Sequence, residues 1–357
     1  MVKILIVRLG ALGDILHALP AVTAIRAALP DAILGWVVEE NWSQLLTAPG
    51  FKDAPETLSP QKPLVNLIHT VNTRRWRRHI FEHKTLKEIR GNLSRLREVH
   101  YEIAIDFQGN IKSAVSARAS GAREIAGFMN PREASARFFY QHKYSRSGEH
   151  VIEQNFALAS QALQPYLKGQ TLKLLAPQLP CDPAAEAWAT AEIKRLGIAG
   201  YAMVTPGAGW GGKQWPPERF GALARALAAH NLKTLVNTGP GEEHLANKVV
   251  ESSSGSAIPV QCTIAQLIAM IRRARIFAGG DTGPLHLAAA LGVPVVAIFG
   301  PTDPARTGPF GTQAVVFRHP ESQTTFSHYR EPDAGMLKIT ADEVIAAARH
   351  LLGGAHA

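Results

Sequence analysis

The sequence predicts an α/β protein built as two doubly wound, largely parallel layers, and three observations carry that expectation. Short runs rich in Val, Ile and Leu alternate with helical patterns along almost the whole chain, which suits strands buried on both faces by helices. The alternation breaks once, in a Pro-, Gly- and Gln-rich stretch from Pro165 to Pro183, and then restarts. Glycine-bearing loops follow the apolar runs at residues 8–14, 205–220 and 279–283, where ligands collect at the carboxyl ends of strands in such layers. A chain of 357 residues has room for two cores of ordinary size.

Taken in order, KILIV at residues 3–7 suits the centre of a parallel sheet, and the loop RLGALGD leads from it into a helix with Ile15, Leu16, Leu19, Val22 and Ile25 on one side. Residues 32–38, 64–71 and 102–107 read as further strands, with a basic amphipathic helix over residues 81–99 before the last. Asp106, Gln108 and Gly109 close that strand, and IKSAVSARAS opens another helix. A helix over residues 151–163 stops before Pro165. After a helix at residues 184–196, strands at 201–206 and 234–239 alternate with helices at 218–229, from 242, and at 264–273. The most compact unit runs from Gly279 to Gly311. There a strand ends near Phe277, a turn passes through Gly279, Gly280 and Asp281, and a helix opens at Thr282 or Gly283 with Pro284 in its first turn. Gly292 stops it, an apolar strand fills residues 295–299, and a last helix at 341–352 closes the chain.

Composition narrows the function classes. Hydrophobic residues make up 46% and charged residues 19%, a globular balance, and Cys181 and Cys262 stand far apart without a CxxC or Cys/His cluster. That excludes a disulfide framework or a structural zinc and fits a reducing compartment. Arg8 and Asp14 interrupt the apolar run that a signal peptide needs, and Pro284, His286, Gly292 and Pro294 divide the uncharged residues 282–302 into helix and strand, so no membrane span is expected. The net charge of +9 is lopsided: residues 1–180 hold 23 Lys and Arg against 15 Asp and Glu, and RRWRRHIFEHK at residues 74–84 is the densest piece. Nucleic acid, an anionic membrane surface or a highly anionic acceptor would each explain it, as would a solvated basic face. A nucleic-acid module lacks support, since no RNA-binding signature or aromatic-interleaved basic strand accompanies the charge.

Three loops of the second half carry the candidate chemistry. In TPGAGWGGKQWPPERF, which opens at Thr205, Gly207 and Gly209 allow close backbone approach to a phosphate and Lys213 supplies a point charge. GPGEEH offers a carboxylate at Glu243, or at Glu242, for ribose hydroxyls. In GGDTGPLH, the helix start at Thr282 and Gly283 leaves backbone N–H groups that favour an anion, with Asp281 and His286 beside them; a capping Asp281 and a packing His286 are the plainer alternatives. From the first half, Asp14 is placed to act as a general base toward a hydroxyl, against the alternative of a helix cap, and His17 lies one turn on. No GxGxxG and no GK[ST] follows any strand, which speaks against a dinucleotide oxidoreductase and a P-loop NTPase.

RLGALGDILHALPAV, DFQGNIKSA, GAGWGGKQWP, GPGEEH and DTGPLHLAAALGVPVVAIFGPTDPARTGPFG, in that order, resemble the bacterial lipopolysaccharide heptosyltransferases, glycosyltransferase family 9. GDILHALPA, RRWRR and GPTDP followed by GPFG are similar to the heptosyltransferase I branch. The resemblance implies a GT-B fold, two Rossmann-like domains facing a central cleft: residues 1–165 binding the acceptor, 166–183 a linker, 184–340 binding the nucleotide sugar, and 341–357 a C-terminal helix. It implies inverting, metal-independent transfer of L-glycero-D-manno-heptose from ADP-heptose to a Kdo (3-deoxy-D-manno-octulosonic acid) residue of Kdo-lipid A. Asp14 matches the base. Thr205, Gly207, Gly209, Lys213, Glu243, Asp281, Thr282, Gly283 and His286 match the donor site, and Arg74, Arg75, Arg77, Arg78, Gln108 and His17 the acceptor side. The implied setting is the cytoplasmic surface of a Gram-negative inner membrane, with no nucleic acid as partner. Another nucleotide sugar, or a later core acceptor as in the heptosyltransferase II and III types, stays open.

Overall fold

The structure is a computed structural model and describes residues 1–51, 57–325 and 329–353. It divides into two units, Met1–Asp182 and Pro183–Ala357. The first contains strands β1 (Lys3–Val7), β2 (Ile33–Glu39), β3 (Leu67–Val71), β4 (Ile103–Asp106), β5 (Glu124–Phe128) and β6 (His142–Tyr144). Its helices are α1 (Leu12–Ala28), α2 (Thr73–Arg78), α3 (His83–Glu98), α4 (Ile111–Ala119) and α5 (Val151–Leu163). The second contains β7 (Tyr201–Thr205), β8 (Lys233–Asn237), β9 (Ala257–Val260), β10 (Ile276–Gly280), β11 (Val295–Phe299) and β12 (Ala314–Arg318). Its helices are α6 (Pro183–Leu196), α7 (Pro217–Ala228), α8 (Glu243–Ser252), α9 (Ile264–Arg273), α10 (Gly283–Ala290), α11 (Pro304–Thr307), α12 (Ala334–Lys338) and α13 (Ala341–Gly353).

Each unit is one six-stranded parallel sheet, ordered β3-β2-β1-β4-β5-β6 and β12-β11-β10-β7-β8-β9. The orders are the same once the second is read backwards. In both, the chain starts in the middle, winds outward one way, returns, and winds the other way. The central strands are the most apolar ones: Ile4, Leu5, Ile6 and Val7 are wholly buried between β2 and β4, as are Val295 to Phe299 between β10 and β12. Helix starts follow local chemistry. The Asn110 side chain accepts from Ser113 N–H to cap α4, Thr263 caps α9 through Gln266 N–H, and Pro217 opens α7. In the second unit Trp215 and Phe220 meet edge to face, 4.8 Å between centroids, in a core that also holds Leu223, Val236, Ile298 and, from α13, Val344.

Four strands, β5, β6, β9 and β12, and the short helices α2, α11 and α12 go beyond what the sequence pattern indicates. Each of the four strands is five residues or fewer, β6 is exposed, β9 carries Pro259, and β12 is half exposed at a sheet edge, so none stands out as a long apolar run. The third strand begins at Leu67 rather than residue 64. Asn66 is spent on side-chain bonds instead: its Oδ1 accepts from Leu34 N–H at 2.9 Å and from Arg26 Nη2 at 2.6 Å. The stretch expected as a linker runs along the first unit, where Cys181 N–H donates to Pro60 O and Gln178 N–H to Thr23 Oγ1. Of the C-terminal helix, residues 354–357 lie outside the described residues.

One close approach fixes the packing of β2. A methyl group at Gly35 would stand 1.8 Å from the Tyr101 hydroxyl, which also bonds His69 Nε2 at 2.8 Å. Gly35→Ala is therefore expected to destabilise the chain by about 1–3 kcal/mol through overpacking, read as a lowered urea midpoint, whereas an unchanged midpoint would mean that the ring moves freely.

Candidate active site

In a doubly wound sheet the loops after the two strands flanking the point of reversal diverge and leave a crevice at the carboxyl edge. In the second unit those strands are β7 and β10, and the loops are the expected ones, residues 206–216 and 281–283. They are fastened to each other by Asp281. Lys213 Nζ donates to Asp281 Oδ2 at 2.5 Å and to the Asp281 carbonyl at 3.2 Å, while His286 Nε2 lies 2.9 Å from Oδ1. Asp281 thus does not cap α10. The N-cap is Thr282, whose hydroxyl donates to Gly280 O, and among the described residues no side chain caps the helix. Pro284 removes one N–H of the first turn and leaves the Thr282–Gly283 backbone at the crevice. Burial pushes the Asp281 carboxyl up, but the His286 hydrogen bond and charge and the Lys213 ammonium outweigh it and hold it well below the usual carboxylate range.

Space is tight where these loops meet, most of all at Gly280, whose neighbour is backbone. A Cβ at Gly280 would stand 2.6 Å from the Lys213 carbonyl, and one at Gly207 would stand 2.0 Å from Glu242 Oε2. Gly209, by contrast, faces open space. The second contact sets the paired glutamates apart. Glu242 lies against Gly207 and accepts from Gly239 N–H at 3.0 Å, while Glu243 is exposed at the start of α8 and accepts from Gly241 N–H at 3.2 Å. Thr205, at the end of β7, is buried, and its Oγ1 has no hydrogen-bond partner among the described residues.

In the first unit the flanking strands are β1 and β4. Asp14 is the third residue of α1, not its cap. Its Oδ2 accepts from Ala11 N–H at 3.2 Å and its Oδ1 pairs with Arg8 Nη2 at 2.8 Å, leaving the side chain about one-third exposed. The buried Arg8 also donates through Nη1 to Phe107 O at 2.5 Å, and Gln108 Oε1 accepts from Leu9 N–H at 2.7 Å, so Asp14 and Gln108 belong to one cluster. Beneath it Asp106 is completely buried and accepts four bonds, from Gln108 N–H, Gly109 N–H, Ser113 Oγ and Tyr140 Oη. Burial raises its carboxyl, against the pull of those donors. His17 is elsewhere: it is buried on α1 with its ring 5.7 Å from that of His150, which corrects the expectation of a residue presented to an acceptor. Arg74, Arg75, Arg77 and Arg78 lie exposed on α2, beyond the end of β3, with Arg75 paired to Glu88.

Comparison with known proteins fits this geometry. The family model described as glycosyltransferase family 9 (heptosyltransferase) matches residues 91–333. The chain belongs to glycosyltransferase family 9. This glycosyltransferase is 31% identical over 88% of its length to lipopolysaccharide heptosyltransferase 1 of Pseudomonas aeruginosa, covering 82% of that protein, and 29% identical over 89% to the Escherichia coli K12 protein of the same name, covering 94%. Among solved structures it is similar to E. coli heptosyltransferase WaaC with ADP, with a TM-score of 0.76 and 25% identity over 98% of this chain and 99% of that one. E. coli heptosyltransferase II shares the fold at a TM-score of 0.75 and 20% identity. The two six-stranded sheets are therefore those of a GT-B glycosyltransferase.

Several residues packed around these loops carry no sequence signal of their own. Tyr329 and Asp333 clamp the lysine loop: Gly212 N–H donates to Tyr329 O, Asp333 N–H to Gly212 O, and the rings of Trp210 and Tyr329 meet at 5.3 Å. Arg8 and Asp106 had one available clue, a charge placed at the end of an otherwise apolar strand. Among the described residues, no three His, Cys, Asp or Glu side chains gather as a metal-holding group.

The Asp281 bonds set a pH-dependent stability. A depressed carboxyl stabilises the fold fully above its unfolded value of 3.8 and loses that contribution as pH falls through the folded value. Asp281→Asn is accordingly expected to cost about 3 kcal/mol. Denaturant midpoints should show that loss at pH 5 and a shrinking one below 3.8; a loss undiminished in acid would mean that the Asp281 charge is not what holds the corner together.

Proposed function

We propose that this glycosyltransferase acts in lipopolysaccharide core synthesis, moving L-glycero-D-manno-heptose from ADP-heptose to a Kdo residue on lipid A, with inversion and with Asp14 as general base. The observation that carries the reading is the corner at the ends of β7 and β10, where the Thr282–Gly283 backbone, Lys213 and a crowded glycine loop converge on one anion-receptive point. The kinship supports the donor: the 31% identical relative is named lipopolysaccharide heptosyltransferase 1, and WaaC has been solved with ADP-2-deoxy-2-fluoro heptose.

The chemistry assigns each group a task. The acceptor oxygen attacks the anomeric carbon, the bond from that carbon to the diphosphate oxygen breaks, and ADP leaves with the electron pair. A single displacement of this kind inverts the anomeric centre. Asp14 takes the hydroxyl proton as the new bond forms, and the Arg8 and Ala11 contacts keep its carboxylate in one orientation. Lys213 and the α10 backbone dipoles offset the charge that develops on the departing diphosphate, so the residues present supply a cationic environment of their own. Asp281 and His286 hold Lys213 and the α10 turn in place. Glu242 suits the ribose hydroxyls better than Glu243, because it sits against the phosphate loop at Gly207. Gln108 and the α2 arginines lie on the Asp14 unit and suit an anionic acceptor. The enzyme would work at the cytoplasmic face of the inner membrane; no helix among the described residues is long and apolar enough to cross a membrane.

Asp14→Ala should retain ADP binding in calorimetry and lose transfer from ADP-heptose by a factor of about 10²–10⁴; full activity in that variant would remove the base assignment. Replacing Arg77 and Arg78 together with Glu should raise the KM for a soluble Kdo-bearing acceptor and leave the donor KM nearly unchanged. Equal effects on both would detach α2 from the acceptor.

A further inference from the structure

Large apolar side chains left open to water are not scattered over this protein. Half of those among the described residues, Ile80, Phe81, Ile111, Val115, Met129 and Phe138, follow the carboxyl ends of β3, β4 and β5 in the first unit. Phe81 is 96% exposed and Phe138 78%, whereas among the described residues of the second unit the exposed ones are Val316 and Leu337, both near 40%. Two exposed phenylalanines at one sheet edge are costly in water and mark a contact surface.

Both phenylalanines are set among cations. Phe81 follows Arg77 and Arg78 and precedes Lys84, all exposed, and the nearby Glu82 is engaged by His79 Nδ1 at 2.7 Å. Phe138 is flanked by exposed Arg132 and Arg137, with the Arg137 guanidinium 5.2 Å from its ring centre. The frames beneath are firmly tied. Thr73 N–H and hydroxyl both donate to Glu39, and Trp76 Nε1 donates to Glu88 at 3.1 Å. Across the sheet, Met129 N–H donates to Tyr144 O at 2.8 Å, Glu133 N–H to Gly109 O at 2.9 Å, and Ile111 N–H to Glu133 Oε2 at 2.9 Å. The aromatic rings are thus presented by ordered elements.

Strand order gives the spacing. β3 and β5 are separated by β2, β1 and β4, four strand spacings or about 19 Å, and the Asp14 loop rises between them. Aromatic rings interleaved with Arg and Lys match an anionic lipid surface, where rings enter the acyl boundary and cations meet phosphates. We infer that the carboxyl edge of the first unit is a docking face for an anionic phospholipid bilayer, anchored at Phe81 on one side of Asp14 and at Phe138 on the other. The inference deepens the reading of a membrane-borne acceptor, and rests on it only for its purpose: docking brings the Asp14 edge to the plane in which a lipid-anchored sugar lies.

The full chain is to be sedimented with vesicles of phosphatidylglycerol and phosphatidylethanolamine, and with vesicles of phosphatidylcholine alone. Binding is expected to the first and not the second, and to weaken with added salt. The double variant Phe81→Ser/Phe138→Ser should bind the anionic vesicles at least about tenfold more weakly, with unchanged melting temperature and unchanged turnover of a soluble, acyl-free acceptor, while Leu337→Ser in the second unit leaves vesicle binding as it was. No vesicle binding, equal binding to phosphatidylcholine, or a double variant that binds like the parent each overturns the docking face, the first in favour of a protein or nucleic-acid contact by the same patch. Vesicle binding without any heptosyl transfer would keep the face and sink the transferase reading instead.

Discussion

A buried carboxylate at the end of the fourth strand of each unit is what the rest of the architecture hangs on. Asp106 closes β4 and Asp281 follows β10, so the two occupy equivalent places in sheets of the same strand order. Each is nearly or wholly removed from water, and each survives there only because donors surround it. Asp106 draws in two backbone amides, a serine and a tyrosine, all neutral. Asp281 draws in a lysine and a histidine. The loops that would have to bind ligands are thereby folded around fixed negative points instead of drifting at the sheet edge.

The difference between the two carboxylates divides the work. Neutral donors around Asp106 shape a loop and leave the charge chemistry to Arg8 and Asp14, which pair a few residues away. Cationic donors around Asp281 place a lysine ammonium beside the start of α10, where backbone dipoles already favour an anion. Under the proposed reading, one unit would accept a proton and the other receive a diphosphate, a division suited to sugar transfer within glycosyltransferase family 9. The basic excess of residues 1–180 belongs to the same division, since the cations there stand out in solvent among exposed aromatic rings instead of being paired inside.

Much of this was legible in the chain alone. Long apolar runs announced the central strands β1, β2, β4, β7, β10 and β11, because strands covered on both faces have no polar side to break the pattern. Glycines after those runs, Pro284 in a first helical turn and the order of five motifs gave the fold class and the loops that matter. Edge strands escaped for the same physical reason: β6 and β12 bury too little to need an apolar run.

What only the tertiary structure decided was partnership. Lys213 and Asp281 are 68 residues apart, and nothing in GGKQW or GGDTG states that they meet; parallel pairing of β7 with β10 brings them together, and Gly280 lets the lysine backbone come within reach. The same holds for His17, which shares a helix with Asp14 yet is buried with its ring against that of His150 at the start of α5, a neighbour supplied only by the folded unit. Composition and periodicity determine which segments become strands, helices and loops, since those depend on neighbours along the chain. Which charge neutralises which, and which glutamate of a pair lies against the Gly207 loop, depends on contacts across the sheet, and those exist only once it has formed.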